Sequence, residues 1–170
     1  MAVDWGIMTT RINDLSALLF KEREILDLLR FKLEEQRLLL ISGKTQWISR
    51  ASAEIEQVLD SLHHASLERS MVAQAVAKQL GAATEATLAE LADLVPNQMW
   101  GEILRSHLQA LRELAASIAG IRDSNDEHLR AALRSAQESL ANLGTSPATY
   151  GPDSTPKHDQ PGARILDTNL

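Results

Sequence analysis

Two long stretches without glycine or proline flank the short segment Ile41-Ser42-Gly43-Lys44. The upstream stretch runs from Thr10 to Ile41 and the downstream one from Thr45 to Leu80. Both carry apolar residues at steps of three and four, the spacing of one helix face. Gly43 supplies the left-handed backbone that ends a helix, because it has no Cβ to clash. Two helices joined by so short a break must fold back along each other. At ~1.5 Å per residue, a segment of about 33 residues makes a rod of ~50 Å. The spacing therefore predicts an all-α chain, elongated and built on an antiparallel hairpin.

The first helix is expected to start near Thr9 or Thr10, either of which can cap it through a hydroxyl. Its face reads Ile12, Leu15, Leu18, Leu19, Ile25, Leu26, Leu29, Leu33 and Leu40, with Glu22 and Gln36 interrupting the seam. Leu28, Phe31, Leu38 and Leu39 widen the apolar surface beyond a two-helix stripe. Taken singly, each fits a core position; taken together, they need a further helix or a partner chain to cover them. The second helix carries Ile48, Ala51, Ile55, Val58, Leu59, Leu62, Ala65, Val72, Val76 and Leu80, with Arg69 on the seam and Gly81 as its stop.

A short third helix is expected from Thr84 to about Val95, ended by Pro96 because the residue before proline resists helical backbone. Asn97 then caps a long last helix whose apolar positions run from Trp100 to Leu143. Arg122 and Asn125 stand where that pattern asks for apolar residues. The helix either bends or breaks there, or stays continuous with a polar layer that fixes register; continuity is the expectation. Residues 144–170 hold four of the five prolines and no helical period. The expected division is a helical domain over 1–143 and a flexible tail over 144–170.

The aromatic share of 4% and the Leu/Ala-rich apolar mass suit packed helices rather than a β-sandwich. A net charge of −6 weighs against nucleic acid as the partner. Without cysteine there is neither a disulfide framework nor thiolate chemistry. The first residues lack the basic-then-apolar order of a signal peptide, and no apolar run is long enough to span a bilayer, so a cytoplasmic protein without membrane insertion is expected.

Catalytic motifs fail on inspection. Gly43-Lys44-Thr45 matches the end of a phosphate-binding loop, but the glycine required five positions earlier is Leu38, and a helix rather than a strand precedes it. A di-iron bundle needs Glu-x-x-His on two helices. Here His63 follows Asp60, His107 follows Leu104 and His128 follows Asn125 at that spacing. His64 and Glu68 stand one turn apart, the spacing of an ordinary surface contact. No cofactor and no metal are expected, which leaves binding.

The order of parts resembles the FlgN family of flagellar export chaperones. The resemblance rests on the Leu/Glu-rich first helix (Leu18-Leu19-Phe20-Lys21-Glu22-Arg23-Glu24-Ile25-Leu26), the leucine run into a glycine turn (Leu38 to Gly43), the long second helix, and a further long helix leading to a polar tail with Tyr150-Gly151. It implies a cytoplasmic helical chaperone without ATPase activity. Such a protein holds hook-associated proteins of the FlgK and FlgL type by a C-terminal helical segment and docks on the export gate protein FlhA. The family's gate-contacting tyrosine corresponds to Tyr150, the only tyrosine present. The Pro-containing tail after Tyr150 and the polar residues near Asn125 depart from the family pattern. The client stripe is expected on the last helix, at Leu129, Leu133, Ala136 and Leu140, furthest along the chain from the hairpin. A rival reading, a self-assembling structural coiled coil or a small secreted helical protein, needs no client; a helical-bundle enzyme would need a bound metal or cofactor.

Overall fold

The computed structural model describes residues 5–144. They form α1 (Trp5–Ile41), a single 3₁₀ turn (Thr45–Trp47), α2 (Ile48–Leu80), α3 (Leu88–Leu94) and α4 (Gln98–Gly144). The described residues contain no strand. The chain divides into two compact units, Met1–Leu133 and Arg134–Leu170. The expected tail, beyond Gly144, lies outside the described residues.

The first unit is a three-helix seam closed at one end by α3. In α1 the buried residues are Met8, Ile12, Leu15, Leu19, Glu22, Leu29, Leu33 and Gln36. In α2 buried or half-buried positions fall at Ala51, Ile55, Val58, Leu62, Ala65, Arg69, Val72 and Val76, and in α4 at Leu104, His107, Leu111, Leu114, Ile118, Ile121 and Asn125. The steps alternate between three and four on all three helices once the half-buried Leu26 is placed between Glu22 and Leu29 of α1. That is a heptad period, the one that keeps a helix face on its neighbour along its length.

Cross-helix pairs give the directions. Gln36 meets Ser52, Lys32 meets Glu54, Glu22 meets Arg69 and Lys21 meets Glu68, so α2 runs antiparallel to α1. Ser16 meets His107 and Gln36 meets Asn125, so α4 runs parallel to α1.

The helix ends follow local chemistry. Gly43 and Gly81 both have positive φ, 68° and 70°. After α1, Gly43 N–H donates to the Leu40 carbonyl and Lys44 N–H to that of Leu39; after α2, Gly81 and Ala82 do the same to Lys78 and Ala77. This is the paired left-handed closure that satisfies the last carbonyls of a helix. Asn97 caps α4 as expected, its Oδ1 accepting from the Met99 and Trp100 amides.

Two expected starts are displaced. α1 begins at Trp5, ahead of Thr9 and Thr10, and the Thr10 hydroxyl donates back to the Gly6 carbonyl one turn earlier. A threonine inside a helix makes that bond as readily as a cap, so the hydroxyl alone did not mark the end. α3 begins at Leu88 rather than Thr84, capped by Thr87: its hydroxyl accepts from Glu90 N–H while the Glu90 carboxylate accepts from Thr87 N–H. Thr87-x-x-Glu90 is the reciprocal capping box that outcompetes a lone Thr84. The Thr87 N–H and the Thr87 hydroxyl both donate to the Glu90 carboxylate and hold it below its usual range.

α3 and the start of α4 approach closely. A Cβ on Gly101 would lie 2.7 Å from the Ala92 carbonyl oxygen, so only glycine fits. Arg105 reinforces this corner by pairing with Asp93 at 2.8 Å.

Candidate binding surface

Four of the five polar residues that broke the apolar pattern turn out to be each other's partners. Asn125, 2% exposed, donates from Nδ2 to the Leu33 carbonyl at 2.8 Å and to Gln36 Oε1 at 3.0 Å. Gln36 then donates to Ser52 Oγ at 3.1 Å, completing a layer across all three helices. α4 stays continuous through this layer, as expected. Glu22 and Arg69, a second pair of interruptions, face each other as a charge pair at 2.6 Å, though not aligned as a hydrogen bond. Arg122 is exposed and pairs with the neighbouring Asp123.

His107 makes a third polar contact within the seam, with its Nε2 3.0 Å from Ser16 Oγ and its Nδ1 3.5 Å from Arg23 Nη1. Arginine can only donate, so Nδ1 accepts and Nε2 carries the hydrogen toward Ser16. Burial, and then the neighbouring Arg23 charge, push the His107 pKa down and keep the ring neutral. His64 bonds the Asp60 carbonyl at 2.7 Å, while the expected partner Glu68 pairs with Lys21 across the hairpin. Among the described residues no group of three or more His, Cys, Asp or Glu could hold a metal ion.

Past Asn125 the apolar pattern leaves the seam. The heptad positions continue as His128, Ala132, Ser135, Ser139 and Asn142, all polar or small. The apolar residues Leu129, Leu133, Ala136, Leu140 and Leu143 stand one position later, about 100° around the helix. Leu129 is half-buried; Leu133 and Ala136 are exposed, and Leu140 and Leu143 reach 70% and 78% exposure. Sequence spacing thus puts these residues on one helix face, and those after Leu129 are uncovered. Leu133 closes the first unit; Ala136, Leu140 and Leu143 belong to the second. Tyr150 lies outside the described residues.

Of the residues that widened the α1 surface, Leu28, Phe31 and Leu38 are exposed and Leu39 is half-buried. No helix of the first unit covers the first three, so the core reading fails for them. Sequence reasoning missed a groove of about 380 Å³ between α1 and α4, lined by Phe20, Arg23, Arg30, Ala110, Glu113 and Leu114. The available signal was Phe20, a large apolar residue one step off the heptad at Leu19. Leu59, expected on the packed face of α2, is instead exposed, and with Leu67 and Met71, which were passed over, it forms an exposed row spaced by fours about His63.

No described helix is long and apolar enough to cross a membrane. Comparison with protein families matches residues 8–158 to the family described as FlgN protein. Neither a curated protein nor a solved structure matches the chain.

Proposed function

The chain belongs to the FlgN family, and from that premise we propose that it is a cytoplasmic chaperone for hook-associated proteins of the FlgK and FlgL type. The family is one of flagellar export chaperones, not enzymes, so the coarse role is to bind flagellar proteins ahead of export. The finer reading is that the uncovered face of α4 (Leu129, Leu133, Ala136 and Leu140) receives the amphipathic C-terminal helix of the client. The observation that supports it is the exposure of Leu133 and Leu140, 60% and 70%, on a helix whose earlier turns are packed.

The mechanism is burial rather than catalysis. An isolated helix is marginal in water, and an apolar stripe on a client invites self-association. Laying that stripe against the α4 face removes both from solvent. Each large side chain covered contributes ~1.5–3 kcal/mol gross, before the cost of ordering the two partners. Delivery to an export gate protein of the FlhA type is assigned to Tyr150, on the resemblance alone.

Titration of a hook-associated protein's C-terminal segment onto the chain tests the first part. Leu133→Asp and Leu140→Asp should abolish the complex while circular dichroism stays unchanged; intact binding by both variants would move the client elsewhere. For the gate, Tyr150→Ala should weaken binding to the isolated cytoplasmic domain of the gate protein, and an unchanged affinity removes Tyr150 from that role.

A further inference from the structure

The hairpin tip joins two features. From Arg37 to Ala53 the sequence carries three cations, Arg37, Lys44 and Arg50, and no carboxylate, although the whole chain has a net charge of −6. Three large apolar side chains in the same stretch stand in solvent: Leu38, Ile41 and Trp47, at 65%, 60% and 49% exposure. Lys44 is exposed and Arg37 half-buried, and neither forms an ion pair among the described residues; Arg50 is exposed and bonds Glu54 at 3.3 Å.

We propose that this tip is a peripheral docking surface for an anionic lipid bilayer, which it touches without spanning. Leucine and isoleucine enter the acyl boundary, the tryptophan ring settles at the headgroup level, and the cations meet lipid phosphates. The backbone of the turn is already prepared for a layer poor in water. The Leu38, Leu39 and Leu40 carbonyls accept from the Ser42, Lys44 and Gly43 amides, the Gly43 carbonyl from Thr45, and the Lys44 carbonyl from Trp47. These backbone groups keep their partners on entry, which lowers the cost of bringing a turn toward lipid.

An acidic protein would satisfy the same cations, but the geometry favours lipid. Three apolar residues around one tight turn offer far less than the ~800 Å² per partner of a specific protein interface. A bilayer needs no matching relief. The carboxylates nearest in sequence are already engaged: Glu35 with Lys32, and Glu54 with Lys32 and Arg50. The remaining acidic surface lies further along the helices, and repulsion from it fades beyond the ~8 Å Debye length of physiological salt.

The full chain, incubated with equimolar phosphatidylcholine–phosphatidylglycerol vesicles and with pure phosphatidylcholine vesicles, should sediment with the first and not the second. High salt should release it. Lys44→Gln should weaken the association about fivefold, the effect of one cation near an anionic surface. Leu38→Ser and Trp47→Ser should weaken it further while the melting curve stays in place. Brominated lipid should quench the wild-type fluorescence and not that of Trp47→Phe. Equal sedimentation with both vesicle types, indifference to the tip substitutions, or capture of an acidic protein by a chain that ignores vesicles would each overturn the proposal. Client binding by the same tip variants is a separate measurement, so failure here leaves the α4 reading untouched.

Discussion

Around Leu15 and Leu104 the three-helix seam is closed by aliphatic side chains with no measurable exposure, joined by Val76 and by Leu91 of α3. Around Leu33 and Ile121 the same seam is leaner. Its apolar residues keep a few per cent of exposure, and the layer above them is Asn125, Gln36 and Ser52. The first end derives its stability from close packing, which is tolerant of register because one leucine replaces another at similar cost. The second end gives up apolar burial for hydrogen bonds that exist in one alignment only. Within the first unit, α4 is thus held by packing at its start and by hydrogen-bonded register near Asn125.

The largest effect that should separate the two ends is Leu15→Ala, which opens a void at the closed end. A loss of about 3 kcal/mol in a urea unfolding curve is expected. A loss below that of a surface substitution would mean the end collapses around the gap and is not the stability centre. Next comes Asn125→Ala, which strands the Gln36 Oε1 acceptor in the seam. It should cost about 2 kcal/mol and, unlike Leu15→Ala, should loosen the register, visible as faster amide exchange in α4 after Ile121. Equal exchange in the two variants would erase the contrast.

The pH dependence sharpens it further. His107 has a folded pKa below its unfolded value near 6.5. Above that unfolded value both states are neutral and the contribution to stability is fully present. As pH falls through it, the unfolded chain takes up a proton that the seam resists, so stability drops. The urea midpoint should fall on acidification, and His107→Gln should flatten that fall. The lowered carboxyls of Glu54 and Glu90 act only as pH drops below about 4.5, a separate window. A slope unchanged by His107→Gln would place the pH response outside the seam. Smallest of all is Leu140→Ser, on the uncovered part of α4. It should change the stability of the free chain by less than about 0.5 kcal/mol, while the client complex weakens. A large loss would mean the residue is already covered.

Much of this was legible in the residues. The steps of three and four gave all four helices, Gly43 and Gly81 gave the stops of α1 and α2, and Asn97 gave the cap of α4. The start of α3 was missed because Thr84 and Thr87 are both competent caps, and only the carboxylate three residues on distinguishes them. The candidate face at Leu129, Leu133, Ala136 and Leu140 could be listed from its spacing. Its exposure could not, because an apolar residue at helical spacing reads the same whether a neighbour covers it or not. Leu28, Phe31 and Leu38 carried the same ambiguity, and there the structure ruled against the core.

What the sequence determined by itself is local: that each helix exists, where it stops, and which face is apolar. These follow from backbone sterics and from a period that each helix carries within its own residues. What the tertiary structure decided is which polar interruption answers which. Glu22 and Gln36 look alike on α1, yet one meets Arg69 of α2 and the other Asn125 of α4. A heptad face offers the same grip at every turn, so only the three-dimensional register pairs such residues, by the cost of leaving any one of them buried alone.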